Sequence, residues 1–228
     1  VFNKISASFQ ENISIFSEHL PEPIFLHETT STNSYLDELC NNSSVEELTS
    51  VYTDFQTAGR GQRGNSWESE AGKNLLFSFV VYPEFLEAHR QFYLSQVTAL
   101  ALHDVLSSYT EGISIKWPND IVMNGKKVCG ILTEMSAQLD YINHVVIGIG
   151  INVQNESFPK EIEQVATSIL METGQHVNRA ELIEAVLEQF ERYYEIFLET
   201  EDLSGLVKEY NAHLINMQKQ VRVLDPKE

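Results

Sequence analysis

Cysteine, basic charge and long apolar runs are scarce in this chain, and each scarcity excludes something. The two cysteines, Cys40 and Cys129, stand far apart in 228 residues. They offer neither the disulfide density of a small secreted module nor the spacing of a metal site, and read as reduced structural thiols. No apolar run approaches the ~20 residues that a membrane-spanning helix needs. The opening Val1-Phe-Asn-Lys-Ile-Ser also lacks the charged-then-apolar layout of a signal peptide. A cytoplasmic protein without a membrane partner is the expectation. Lys and Arg number 15 against 33 Asp and Glu, a net charge of −18. That balance argues against the basic face that nucleic acid requires.

What is present is enough apolar residue, 43% of the chain, to fill the core of one ordinary to large domain. The few basic residues are also unevenly spread. Between Arg60 and Lys127 seven basic residues meet seven acidic ones, so that window is neutral and the rest carries the whole deficit. Positive charge gathered there suits an anionic ligand. Inside the window, Gly59, Gly61 and Gly64 satisfy the letter of the dinucleotide-binding pattern G-x-G-x-x-G. That pattern needs a helix to open at the glycines. Here Asn65-Ser-Trp-Glu-Ser-Glu-Ala-Gly-Lys-Asn74 follows, without helical periodicity, and then the strand-like Leu75-Leu-Phe-Ser-Phe-Val-Val-Tyr82. The glycines therefore belong to a long loop between strands, carrying Arg60 and Arg63 for closure over a phosphate-containing ligand.

The pattern along the chain predicts a first helix over 31–40, with Thr32 or Asn33 near its cap and Tyr35, Leu36 and Leu39 facing inward. Strands are expected over 51–57, 75–82, 113–117, 121–123, 128–135 and 144–153, the last two joined by a turn near Asp140. A second helix is expected over 92–109. Asn124-Gly125 signals a two-residue hairpin. Asn178, with Glu181 three residues on, caps a long helix whose stripe is Leu182, Val186, Phe190, Tyr193 and Phe197. A further helix is expected near 203–214. Strands grouped centrally with helices around them indicate an α+β fold with a mixed, largely antiparallel sheet. Residues 1–24 read as a lead-in, 25–218 as the main domain, and Gln220-Val-Arg-Val-Leu-Asp225 as the first strand of a further small β unit.

Four phrases carry a resemblance: Thr30-Ser-Thr-Asn33, the glycine loop, Lys116-Trp-Pro-Asn-Asp120 with Lys127-Val-Cys-Gly-Ile-Leu-Thr-Glu134, and Gly148-Ile-Gly-Ile-Asn-Val153. In this order and spacing they resemble the catalytic domain of biotin–protein ligases, over roughly residues 25 to 200. The resemblance implies the catalytic fold shared with class II aminoacyl-tRNA synthetases. It implies ATP and biotin as substrates with Mg²⁺ carried by ATP, biotinyl-5′-AMP as intermediate, and a lysine of a biotin carboxyl carrier domain as acceptor. The lead-in of about twenty residues is too short for a helix-turn-helix domain plus linker, so the monofunctional type is expected. The small SH3-like C-terminal domain of such ligases is expected to be missing or cut here.

Residue by residue, the resemblance assigns Ser31, Thr32, Asn33, Gln56, Gly59, Arg60, Gly61, Gln62, Lys127 and Gly130 to biotin. Arg60, Arg63, Trp67, Lys116, Asn119, Lys127 and Asn152 fall to ATP or the adenylate. Lys127, Arg60, Arg63 and Asp120 carry the chemistry, Lys127 lying between the biotin carboxyl and the α-phosphate. Asp120 would orient the incoming lysine or a Mg²⁺ on the phosphates. Gln62 departs from the basic residue common in relatives, so phosphate charge would be shared among Arg60, Arg63 and Lys73. Two readings stay open for several residues. Ser31-Thr32-Asn33 serve as a helix cap as well as a ligand contact. Trp67 reads equally as lid packing or loop anchor, and Gly130, Gly148 and Gly150 as close approach to ligand or relief of sheet curvature. The alternatives for the whole chain are a lipoate–protein ligase and a non-catalytic biotin- or nucleotide-binding module. An exposed sheet edge could also pair with a second copy or with the carrier.

Overall fold

The computed structural model describes residues 20–138, 141–217 and 219–220. Most of the expected lead-in, the turn near Asp140, and all but Gln220 of the anticipated C-terminal strand lie outside the described residues, as does the side chain of Arg63. Seven strands form one sheet in the order β1-β2-β3-β7-β6-β5-β4. They are β1 (Ile24–Thr29), β2 (Ser50–Gln56), β3 (Asn74–Val81), β4 (Ile113–Lys116), β5 (Asp120–Met123), β6 (Lys126–Gln138) and β7 (Tyr141–Asn152). β1 pairs parallel with β2 and the remaining pairs are antiparallel. The mixed, largely antiparallel α+β arrangement is as expected. The helices are α1 (Thr32–Asn42), α2 (Phe92–Ser107), α3 (Ile169–Thr173), α4 (Arg179–Thr200) and α5 (Val207–His213).

Alternation along the central strands sorts residues onto two faces. Leu75, Phe77, Phe79 and Val81 of β3, with Val145, Ile147, Ile149 and Ile151 of β7, join α2 and α4 in the main core. The other face carries Val51, Val80 and Val146 under Leu36 of α1, a small second cluster. Beyond the start of α1 that face is left to Ser78, Leu76 and three glycines. There the site lies.

Local signals explain the connections. Asn124 (φ 52°) and Gly125 (φ 82°) turn the β5–β6 hairpin with both central residues left-handed, as such a tight turn demands. Asn178 accepts a hydrogen bond from the Ala180 N–H and donates from Nδ2 to Glu181 Oε1. The reciprocal contact of a capping box is thus made side chain to side chain.

Three expectations change. β1 starts at Ile24, inside the stretch read as lead-in, and with α1 and β2 makes a parallel βαβ unit. Tyr35 is exposed, because α1 buries a narrow stripe led by Leu36. The last helix is shorter than expected: after α5, Leu214 and Ile215 run along the β4 edge, where Ile215 N–H donates to Ile115 O.

Candidate functional site

The site starts from the floor that the sheet register builds. Ser78 stands opposite Gly148, and Gly148 opposite Leu132; Leu76 stands opposite Gly150, and Gly150 opposite Gly130. These rows place small residues side by side on the face that α1 leaves uncovered. Each of the three glycines gives up its side-chain space to a specific neighbour. A Cβ on Gly148 would collide with Asn33 Oδ1, and one on Gly130 or Gly150 would meet the Trp67 ring at 2.8 or 2.6 Å. The glycines thus clear a bed for Asn33 and for the indole.

A cleft of about 350 Å³ opens over this floor. At one end lies the start of α1, where Ser31, Thr32 and Asn33 are nearly fully buried. Ser31 is the N-cap by position but its side chain makes no cap hydrogen bond. Instead Gln56, at the end of β2, accepts from the Thr32 N–H at 2.9 Å. That backbone donor fixes the orientation of the Gln56 amide. Asn33 is fixed likewise: its Nδ2 donates to Glu134 Oε2 at 2.7 Å and to Leu132 O at 3.3 Å.

With both amides oriented, proton counting becomes informative. Thr32 Oγ1 lies 3.1 Å from Gln56 Oε1, Ser78 Oγ lies 2.5 Å from Asn33 Oδ1, and the two hydroxyls are 2.7 Å apart. Three oxygen–oxygen contacts share two hydroxyl protons. One contact has no proton, so this end of the cleft offers acceptors in excess of donors. A ligand bringing N–H groups would relieve the shortage.

The other end centres on Lys127, at the start of β6. Its backbone is locked by the 165–167 segment: Lys127 N–H donates to Val165 O (2.7 Å) and Thr167 N–H to Lys127 O (2.9 Å). Its ammonium reaches Asp120 Oδ1 at 2.7 Å and lies 5.3 Å from the centre of the Trp67 ring. Lys127, Trp67 and Ser66 also line a second cleft of about 560 Å³, walled by Asn155, Phe158, Ile162 and Ala166. Lys127 therefore stands at the junction of two chambers, an ammonium on a rigid strand facing both. The indole N–H of Trp67 is buried there without an acceptor among the described residues.

The structure gathers most of the residues expected from the sequence. Ser31, Thr32, Asn33, Gln56, Arg60, Gly61, Gln62 and Trp67 line the first cleft, as do Asn119, Asp120, Lys127 and Gly130. The exposed Trp117 sits at its mouth, against Phe92. Asn152 lines the second cleft, but its amide is spent within the protein, accepting from Asn74 Nδ2 and donating to Thr167 O. Lys116 and Lys73 line neither cleft, because Lys116 is exposed at the end of β4. Gly59 also stays off the lining; its carbonyl accepts from the Trp67 N–H and so closes the base of the loop. Arg63 falls in a short 3-10 turn over Gln62–Gly64.

Two contributors went unnoticed in the sequence, Ser78 and Glu134. The single hydroxyl in the otherwise apolar run of β3 was the signal for the first. The carboxylate closing the Lys127–Glu134 phrase was the signal for the second. The cysteines stay outside the chemistry: burial pushes the Cys129 thiol far above its ordinary range and raises that of Cys40. Among the described residues, one group of His and carboxylate side chains is close enough to hold a metal ion, His103, Asp104 and His213. It lines neither cleft.

Known proteins are similar to this chain in sequence and in fold. The Biotin/lipoate A/B protein ligase family matches residues 25–152, from β1 to the end of β7. Over 188 residues the chain is 38% identical to the bifunctional ligase/repressor BirA of Bacillus spizizenii, covering 81% of this chain and 56% of that protein. It is also 38% identical over 176 residues to the biotin–[acetyl-CoA-carboxylase] ligase of Paracoccus denitrificans, covering 74% of this chain and 71% of the relative. The chain thus spans little more than half the length of the first of these. Among solved structures, the biotin protein ligase of Aquifex aeolicus in complex with biotin and ATP aligns with a TM-score of 0.75 at 31% identity, over 86% of this chain and 79% of that one. The matched segment holds the glycine floor, the Arg60 loop and Lys127, and by that match the chain belongs to the Biotin/lipoate A/B protein ligase family.

Proposed function

We propose that this chain activates biotin with ATP, forming biotinyl-5′-AMP, and transfers the biotinyl group to a lysine of a biotin carboxyl carrier domain. The observation that carries the choice of acid is the proton shortage around Thr32, Ser78, Asn33 and Gln56. A ureido ring brings two N–H donors to such a cluster. The dithiolane of lipoate brings none and would leave the proton-free contact between two oxygens unrelieved. Sites built to hydrogen-bond a substrate reject analogues lacking those groups strongly.

The rest of the cleft suits in-line transfer without an enzyme nucleophile. Biotin lies with its ring at the α1 end and its carboxylate toward Lys127; ATP, entering with Mg²⁺, occupies the second chamber. The carboxylate oxygen attacks the α-phosphorus and pyrophosphate leaves. The Lys127 ammonium balances charge growing on the α-phosphate oxygens, and its strand position means little reorganisation at that moment. Asp120 orients that ammonium and then the acceptor amine, whose attack on the acyl carbon expels AMP. Arg60, Arg63 and Trp67 cover the adenylate and exclude water.

Two free thiols, one of them fully buried, suit a reducing compartment such as the cytoplasm, and no described helix is long and apolar enough to cross a membrane. β1, one of the two outer strands of the sheet, offers an edge for a second copy or for the carrier.

Pyrophosphate release with Mg·ATP tests the reading, measured with biotin, with lipoate and without acid, in the presence and absence of a carrier domain. Release with biotin, and AMP with biotinylated carrier once the acceptor is added, is the expected result. Release driven by lipoate, or by neither acid, would overturn it.

A further inference from the structure

One carboxylate oxygen joins the two parts of the cleft that must act together. Glu134 Oε2 accepts from Asn33 Nδ2 at 2.7 Å and from Arg60 Nη2 at 2.7 Å, and the same Arg60 nitrogen donates to Ser34 Oγ at 3.1 Å. Asn33 belongs to the acceptor-rich end of the cleft, Arg60 to the glycine loop, and Glu134 to β6. Glu134 itself lines neither cleft. It touches what touches the ligand.

The surroundings explain why such a tie matters. The loop's stem is held by backbone hydrogen bonds, from Thr57 N–H to Thr29 O and from Ala58 N–H to Thr30 O. Its tip closes on itself, Gly61 N–H donating to Asn65 O. Arg60, between stem and tip, sends its side chain across to α1 and β6. By taking the Asn33 N–H, Glu134 also decides which amide atom of Asn33 faces Ser78. Its charge therefore sets two things: the acceptor orientation of Asn33 and the seat of the Arg60 guanidinium.

We propose that Glu134 is a positioning residue that couples the acid-binding end of the cleft to the closing loop, latching Arg60 over the bound acid. A ligand that tightens Asn33 tightens the loop, and a seated loop holds Asn33 in its accepting orientation. The coupling is reciprocal by linkage. The proposal rests on the reading of the cleft as a biotin site, while the latch itself can be observed without any ligand.

The experiment uses the whole chain in four forms: wild type, Glu134→Gln, Arg60→Ala and the double variant. Gln keeps the shape and one acceptor but removes the charge that Arg60 and Asn33 both address. The ligand-free arm is limited trypsin digestion, reading cleavage after Arg63, a bond in the loop that every variant retains. Both partners of the ion pair are about 40–50% exposed, so the expected acceleration in Glu134→Gln is modest, roughly threefold. The ligand arm measures biotin affinity by calorimetry and the KM–kcat split for pyrophosphate release. Glu134→Gln is expected to raise the biotin KM and Kd roughly tenfold, as loss of a charged hydrogen bond does, with kcat within twofold. The double variant should lose less biotin affinity than the sum of the two single losses, since removing either partner already breaks the latch. Additive losses in the double variant, unchanged trypsin cleavage, or a lower biotin KM in Glu134→Gln would each overturn the latch. A wild-type chain that ignores biotin would instead sink the biotin reading, leaving the trypsin result to judge the latch alone.

Discussion

The same strands present two faces that could hardly differ more. On β3, Leu75, Phe77, Phe79 and Val81 interlock with α2 and α4, while between them Leu76 lines a cleft and the buried Ser78 hydrogen-bonds Asn33 beside it. On β7, Val145, Ile147, Ile149 and Ile151 alternate with Val146, Gly148 and Gly150. Large side chains on one face supply burial. Absent side chains on the other give room to an asparagine and an indole. Stability and function are thus separated by a single residue step along each strand, so substitutions on the two faces should fail in different ways.

The sharpest break in that comparison is Lys127→Ala. Loss of the junction ammonium should slow biotin-dependent pyrophosphate release by about 10²–10³-fold, with the thermal midpoint little changed. Near wild-type release would remove Lys127 from the chemistry. Phe79→Ala tests the opposite face. Phe79 is fully buried edge-on against Phe190, with ring centroids 4.7 Å apart, and truncation should cost about 3–5 kcal/mol in a denaturant titration. At low temperature, turnover per folded molecule should stay within about twofold, since any loss in activity should follow unfolding. A stable but inactive Phe79→Ala would show the faces to be less separate than argued.

Gly148→Ala sits between these extremes, because its new Cβ would press on the pinned Asn33. Biotin affinity measured by calorimetry should fall roughly tenfold, with about 1–3 kcal/mol lost in stability from overpacking. Unaltered affinity would mean that Asn33 can move without consequence. Smallest of all is Lys73→Ala, whose side chain lines neither cleft. Its turnover should change less than about threefold, as a substitution away from both core and cleft normally does. Damage equal to that of Lys127→Ala would shift the phosphate site toward the second half of the loop.

Much of the fold was legible because its signals are local. The aromatic and β-branched run of β3, the left-handed Asn124-Gly125 pair and the Asn178 cap each act within a few residues of themselves. β1 was not legible. Ile24-Phe-Leu-His-Glu-Thr29 follows two prolines and has an irregular mix of half-buried and exposed residues, and its parallel pairing with β2 makes it a strand. Tyr35 misled for a related reason: at helical spacing it matches Leu36 and Leu39, but the sheet meets α1 along too narrow a line to cover it. In the site, the phrase residues converge, whereas Lys116 is carried outward by the end of its strand.

By itself the sequence determined the alternation of large and small residues along the central strands. It also determined the loop between β2 and β3 as a loop. These follow from periodicity, backbone preference and turn chemistry, which act over short stretches. Tertiary structure alone decided that the glycines make room for Trp67 and Asn33, that Lys127 faces two chambers, and that three oxygen contacts share two protons. It also set Glu134 beside Asn33, 101 residues away in the chain. Hydrogen-bond balance and side-chain space depend on partners that distant segments bring together, and they come into being only when the sheet is assembled.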